Sequence, residues 1–456
     1  MTSPAALRAE SEASDPESSG DAALVRVLGV RGLAAHIFNI TIGGGIFVLP
    51  AIVAAGLGPA APIAYVVCAV GMGLIVLCFA DAGSRVSLTG GPYAYVETAL
   101  GSFTGFIAGV LLWLTGCFAT ASVATAFAGS LGVLIPGAGT GIARAAVLVL
   151  LFVVLATVNI RGARQGTRLI EIVTVAKLIP LLVFIAAGAA FIRGDNLALS
   201  AAPATFDVMR MSLLLIFAFA GVESALVPSG EIRDTARTVP RALFIAMLSI
   251  TLLYLAIQLV AQGLLGADLA RFTDAPLAEA AGRVMGPFGA WLLLAGATVS
   301  MFGYVSGMTL SVPRALFAFG RDGFLPSAVG AVHPRFRTPH VAIAIQSAIV
   351  LALAVTGTFA RLAIIANVAL LLLYLLCCVA AFELRRRDVR SGGGGTPFNL
   401  PAGAGWVAPP LAIAVILVLL LAAEPGELAL VAGVLLVATA LYVLAWLRRP
   451  RAGIAT

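Results

Sequence analysis

The chain has 456 residues, 61% of them hydrophobic and only 11% charged, with a mean hydropathy of +1.07. These values lie far outside the soluble globular range and exclude a water-soluble enzyme as its main body. The formal charge of +7 is carried by arginines scattered through short segments with no basic face, so it does not imply a nucleic-acid partner.

Many stretches exceed 18 nearly uncharged apolar residues, which predicts a polytopic all-α membrane protein. No ten-residue alternation suggests a barrel. Residues 1–24 are polar and acidic, lack the basic start and apolar core of a signal peptide, and read as a disordered cytoplasmic tail. Loop punctuation then divides the chain into twelve spans. The first repeat, 25–192, holds spans near 31–57, 59–83, 94–132, 141–160 and 168–192. The second, 207–384, holds spans near 208–230, 240–266, 287–319, 339–356 and 360–384. A glycine-rich cytoplasmic linker (385–405) leads to two peripheral helices, near 406–423 and 427–447, and a tail at 448–456. Between spans seven and eight, ADLARFTDAPLAEAAGRVMG is too polar to cross and is expected as short surface helices. Alternating the loops places 21 arginines on the side of the N-terminal tail and six on the other, so both termini are expected in the cytoplasm.

Span one contains NITIGGGIFVLP, in which Gly43, Gly44 and Gly45 are consecutive at mid-membrane depth. Each glycine costs a helix about 1 kcal/mol and bares backbone amides. Span six contains IFAFAGVESALVPSG, where Gly221 precedes the ionisable Glu223 and then Pro228 and Gly230. These are the first spans of two successive five-span groups. Interrupted helices at matching places in two halves point to an inverted-repeat secondary transporter. Freed amides at a half-helix start can hold a carboxylate, and freed carbonyls an ammonium. Glu223 reads either as a structural hydrogen-bonding group or as a gating, proton-linked one.

Lys177 is the sole lysine, in RLIEIVTVAKLIPLLVFIAAGAA of span five. It lies about 13 Å along the helix from Arg168, near the midplane of a core about 30 Å thick. A charge there marks either an ion site or an ammonium held structurally by backbone carbonyls. In span eight, SMFGYVSGMTLS offers Ser300 and Ser306 as candidates to face Lys177, while helical serines also bond their own backbone. For His36, Asn39 and Thr41 of span one, local structural bonding is expected. Cys68, Cys78, Cys117, Cys377 and Cys378 fall in apolar spans with neither disulfide nor zinc spacing, so no metal or cofactor is expected. An intramembrane enzyme would need an Asp pair, Ser–His, Ser–Lys or HExxH arrangement, none of which is evident. Spans eleven and twelve are candidates for homodimer contact.

Four segments resemble the amino acid–polyamine–organocation (APC) permeases, over about residues 25–450: IGGGIFVLP, SLTGGPYAYVETALG, FAGVESALVPSGEIRDTARTVPRA and VPRALFAFGRDGFLPSAVGAVHPRFRTPHVAI. The resemblance implies a 5+5 inverted repeat with broken helices one and six, plus two peripheral helices. It implies that amides of Gly43, Gly44 and Gly45 bind a substrate α-carboxylate. Carbonyls of Ile42, Phe217 and Ala218 would meet the α-amine beside Gly221, and the Phe217 ring would cover the substrate. Bacterial arginine/agmatine antiporters carry tryptophan at that position, and many neutral amino acid exchangers phenylalanine. Glu223 matches those antiporters' proton-sensitive glutamate. Lys177 matches a lysine whose ammonium, in proton-coupled relatives, occupies the place of a sodium ion. The expected function is an amino acid permease of the cytoplasmic membrane, coupled to protons and carrying neutral or small amino acids. Exchange, including cationic amino acid or amine antiport, is the alternative.

Overall fold

The structure is a computed structural model that describes residues 29–448, except 89, 162–166, 200–201, 228, 230–231, 322, 337, 392–397 and 399–402, and except the side chains of 167–176, 404 and 448. The expected tail at 1–24, residues 449–456 of the tail expected at 448–456, residues 392–397 and 399–402 of the linker, and Pro228 and Gly230 lie outside the described residues. The described residues form sixteen α-helices. The first eight are α1 (Val30–Thr41), α2 (Gly45–Leu57), α3 (Ala61–Arg85), α4 (Pro92–Leu100), α5 (Ser102–Leu134), α6 (Gly141–Ile160), α7 (Thr167–Gly188) and α8 (Thr205–Phe219). The rest are α9 (Val222–Ala225), α10 (Thr235–Leu265), α11 (Pro276–Ser311), α12 (Pro313–Arg321), α13 (His340–Thr356), α14 (Phe359–Arg386), α15 (Ala404–Leu420) and α16 (Pro425–Arg448). Among the described residues, eight segments are long and apolar enough to cross a membrane, and Lys177–Phe191, His340–Thr356 and Gly405–Leu420 are shorter apolar helices.

In lipid, apolar area gives helices no reason to associate, so close packing and internal hydrogen bonds must do so. Helix α5 illustrates both. Its small residues let neighbours approach: a Cβ on Gly116 would lie 2.7 Å from Val312 Cγ2. Its hydroxyls return to backbone, Thr115 to Leu111 O (2.9 Å) and Thr120 to Gly116 O (2.6 Å), while Ser122 crosses to Phe359 O (2.8 Å). Helices α5 and α14 pack together at the centre, α3 packs on α10, and the four pieces α1, α2, α8 and α9 lie among them.

Two expectations need amending. The eighth span is not one helix over 287–319. Helix α11 begins earlier, at Pro276, turns at Gly286 (φ 64°, ψ −158°), and ends before a separate α12. The segment expected on the surface before it is folded inward. Leu269, Leu277, Ala280 and Ala281 are at most 1% exposed, while Glu279 and Arg283 pair on the outer side (3.3 Å). Apolar residues one helical turn apart form a buried stripe there, which the polar opposite face dilutes in a simple hydropathy reading.

Buried ions fasten one end of the bundle. Asp81 on α3, 2% exposed, accepts from Arg85 Nε (3.1 Å) and from both Nε (2.8 Å) and Nη2 (3.1 Å) of Arg385 on α14. Arg85 also reaches Asp388 (3.1 Å), and the backbones of Arg85, Ser87 and Ser391 join in a short bridge. Removing one member of such a set strands the others, at a cost of about 3–5 kcal/mol. Asp81→Ala is therefore expected to destabilise the purified protein by about that amount, read as a lowered thermal midpoint. Asp81→Asn, which keeps an acceptor, should lose less.

Candidate functional site

The first break is a tight turn. Ile42 (φ −79°, ψ 77°) has inverse γ-turn geometry, closed by Gly43 N–H donating to Thr41 O at 2.9 Å. A continuing helix would aim that amide at Asn39 O, so the Asn39 carbonyl is set free. Helix α2 restarts at Gly45, and amides in a helix's first turn have no carbonyl one turn back. Gly43 thus contributes the turn and a carbonyl rather than a free amide. The free donors are those of Gly44, Gly45 and Ile46.

The absence of side chains at the break is enforced by neighbours. A Cβ on Gly43 would lie 3.2 Å from the Tyr304 ring, and one on Gly44 3.0 Å from Val123 Cγ1 and 3.1 Å from Met301 Cγ. On Gly45 it would lie 3.2 Å from Phe217 Cδ1, which places Phe217 against the restart of the first broken helix. Phe217 is 8% exposed and packs edge-on to Phe359, with ring centroids 5.5 Å apart.

The second break uses a different device. Helix α8 ends at Phe219, Ala220 is extended (φ −65°, ψ 150°), and Gly221 takes φ +129°. That left-handed backbone favours glycine, and a Cβ there would meet Ile40 Cγ2 (2.8 Å) and Thr41 Oγ1 (2.9 Å) of the first break. The two breaks therefore touch. Gly221 N–H, which a helix would aim at Phe217 O, donates instead to Glu223 Oε2 (2.9 Å), leaving the Phe217 carbonyl free. The same carboxylate oxygen accepts from Tyr374 OH of α14 (2.6 Å), and Ser224 Oγ lies 3.5 Å from Oε1. Glu223 is thus a buried tie between the second break and α14.

Three further side chains converge on the breaks. Tyr254 of α10 shares its hydroxyl proton between Thr41 O (3.1 Å) and Ala218 O (3.0 Å), one carbonyl from each broken helix. Lys177, 4% exposed, donates from Nζ to the freed Asn39 O at 2.5 Å. Ser300 Oγ donates to Gly43 O (3.3 Å). Ser306 is buried on the same helix. Thr41 Oγ1 is buried without a hydrogen-bond partner among the described residues, a polar group left open at the junction. The arrangement offers amides at one half-helix start and carbonyls at another half-helix end, which suits a zwitterion. A separate cavity of about 500 Å³ between α5, α12 and α16 does not. Phe106, Phe319, Phe324 and Val434 line it, and the indole N–H of its Trp113 is already given to Gln346 (2.8 Å).

Sequence reasoning passed over Tyr254, Tyr304 and Tyr374, each an aromatic within an apolar run. Their hydroxyls were the available signal, since a tyrosine buried in a membrane helix needs a partner for its O–H. Tyr254→Phe leaves two carbonyls without their donor, a loss of about 1–3 kcal/mol. The expected result is a lowered thermal midpoint together with weaker substrate binding in the purified protein, measured side by side.

Known proteins match this chain along most of its length. The family described as amino acid permease matches residues 28–445. A serine/threonine exchanger of Bacillus subtilis is 28% identical over 80% of this chain and 85% of its own length. A branched-chain amino acid permease of the same organism is 26% identical over 81% and 83%. An L-lysine transport protein of Corynebacterium glutamicum is 33% identical over 70% and 66%. With the apolar helices and the paired breaks, these matches identify a multi-pass membrane protein that belongs to the amino acid permease family of the APC superfamily.

Proposed function

We propose that the chain is a secondary active amino acid transporter of the cytoplasmic membrane, with both termini cytoplasmic, working by alternating access. In this reading twelve spans comprise two inverted five-helix repeats and two peripheral helices. The observation that carries it is the contact between the two breaks, where Gly221 meets Ile40 and Thr41, Gly45 faces Phe217 and Ala218, and Tyr254 bonds one carbonyl of each broken helix. The substrate carboxylate docks on the amides of Gly44, Gly45 and Ile46, and its ammonium on the Phe217 carbonyl and its neighbours. The Phe217 ring closes over the bound molecule and excludes water. Rocking of the broken helices against the remaining bundle then exposes the site to either side.

Proton coupling with neutral or small amino acids is the lead mode. Lys177 supports it, because a buried ammonium on Asn39 O sits directly behind the first break and is fixed by that break's geometry. Any change in its protonation alters the hold on α1. Phe217 supports neutral side chains, since phenylalanine stands where the arginine/agmatine antiporters that the chain resembles carry tryptophan and where many neutral amino acid exchangers carry phenylalanine. Exchange is the second reading, favoured by the similarity to a serine/threonine exchanger, and similarity to a lysine transport protein keeps cationic substrates within it.

Proteoliposomes given labelled amino acids, with and without a pH gradient or a preloaded amino acid, separate the two modes. Accumulation driven by pH alone supports coupling, and uptake that requires internal amino acid supports exchange. Gly44→Leu is expected to abolish binding while the protein still inserts and runs as a monodisperse species. Unchanged affinity would remove the amides from the site. Lys177→Met keeps the stem volume and loses the charge, so pH-driven accumulation should disappear while some binding survives. Wild-type accumulation in that variant would contradict the coupling role.

A further inference from the structure

Arginine 210 counts in the sequence only as one charge of the non-cytoplasmic side, yet its surroundings are specific. It lies on α8, seven residues before Phe217, or about 10 Å along a continuous helix. Its guanidinium grips Glu427 with two bonds, Nη1 to Oε2 (2.9 Å) and Nη2 to Oε1 (3.0 Å). It also reaches Ala422 O (2.9 Å) and Glu424 Oε1 (3.3 Å). Ala422 and Glu424 lie between α15 and α16, and Glu427 lies in the first turn of α16. The pair is shielded, with Arg210 18% and Glu427 7% exposed. Glu427 is itself held by Glu424 N–H (2.8 Å), so the acceptor is fixed before the guanidinium arrives. A bidentate pair of this kind fixes orientation as well as distance.

Side-chain hydrogen bonds hold helix α8 at four points, one of them its own Ser212 Oγ donating to Ala64 O of α3 (3.3 Å). Arg210 fixes its outer end. Asn367 of α14 donates to Leu213 O (2.8 Å) and Leu214 O (3.2 Å) at its middle, and Tyr254 holds Ala218 O at its inner end. The outer anchor comes from the hairpin α15–α16, whose helix α15 also packs on α8 itself and which otherwise packs on α3, α5 and α14.

We propose that the hairpin α15–α16 positions the substrate site through the Arg210–Glu427 pair. The hairpin sets where α8 stands, and so where Phe217 and its free carbonyl meet the substrate. Arg210 and Glu427 are positioning residues, since neither touches the site. The inference rests on the transporter reading above.

The test uses full-length protein in proteoliposomes with labelled L-serine, L-leucine and L-lysine measured in parallel. Glu427→Gln keeps shape and one acceptor but loses the charged bidentate grip. It should raise KM about tenfold while the maximal rate stays within about twofold, the signature of lost ground-state placement. The double variant Arg210→Met/Glu427→Met removes both charges and restores apolar packing, which in lipid recovers thermal stability. Its KM should stay raised although its thermal midpoint returns. A KM unchanged in Glu427→Gln, or one that returns to wild type with stability in the double variant, would overturn the proposal and leave the pair a purely structural tie. Gly44→Leu serves as the control for the site itself. Binding that survives there tells against the transporter site, independently of the outcome at Arg210.

Discussion

Where a helix stops inside lipid, its released amides and carbonyls have no water to turn to, and each one left alone costs several kcal/mol. A chain that interrupts two helices in the middle of a bundle must therefore supply partners for both interruptions. Here most of the supply comes from single atoms. The Lys177 ammonium takes Asn39 O, Ser300 takes Gly43 O, and the Glu223 carboxylate takes Gly221 N–H. Tyr254 joins Thr41 O to Ala218 O and so ties one interruption to the other. What stays unpaired is a short set of amides on one side and carbonyls on the other. Those groups are of the kind a zwitterion can satisfy, and in the proposed function a bound amino acid would complete the accounting of the backbone.

Apart from Glu223, which takes the nearby Gly221 N–H, the side chains that satisfy the breaks come from distant helices. Neighbours along the chain are occupied with their own helical bonds. Lys177 stands on α7, Tyr254 on α10, Ser300 on α11 and Tyr374 on α14. Any relative movement of these helices changes which backbone groups at the breaks are covered. A transporter needs such linkage: occupancy of the site and the arrangement of the bundle become parts of one hydrogen-bond network. Charges away from the site lock the periphery instead, with Asp81 joining α3 to α14 and Glu427 joining the last hairpin to α8.

Much of this could be read from the residues alone. Runs of apolar residues announced the helices, three adjacent glycines announced the first break, and Gly221 beside Glu223 the second. A lone lysine at mid-depth reads either as an ion site or as an ammonium held by backbone carbonyls, and its Nζ donates to Asn39 O. The partner of the Tyr254 hydroxyl was not legible, because its bond to Thr41 joins residues 213 positions apart and no local spacing encodes it. Nor could the sequence tell that Gly43 spends its amide on the turn, since that follows from the ψ angle of Ile42. The inward fold of Leu277, Ala280 and Ala281 was hidden by the polar residues between them. Arg210 looked like topology alone until its carboxylate partner was placed beside it.

The central claim is that the free amides at the first break exist for a carboxylate. It is tested most directly by equilibrium binding to the purified wild-type protein of an amino acid it transports, of the corresponding amide, and of the decarboxylated amine. Charge-assisted bonds to backbone N–H groups are worth roughly twice neutral ones. The account predicts that both analogues bind at least about tenfold more weakly than the amino acid, with side chain and ammonium unchanged. Equal affinity for all three would contradict it, because the amides of Gly44, Gly45 and Ile46 would then have no part in recognition.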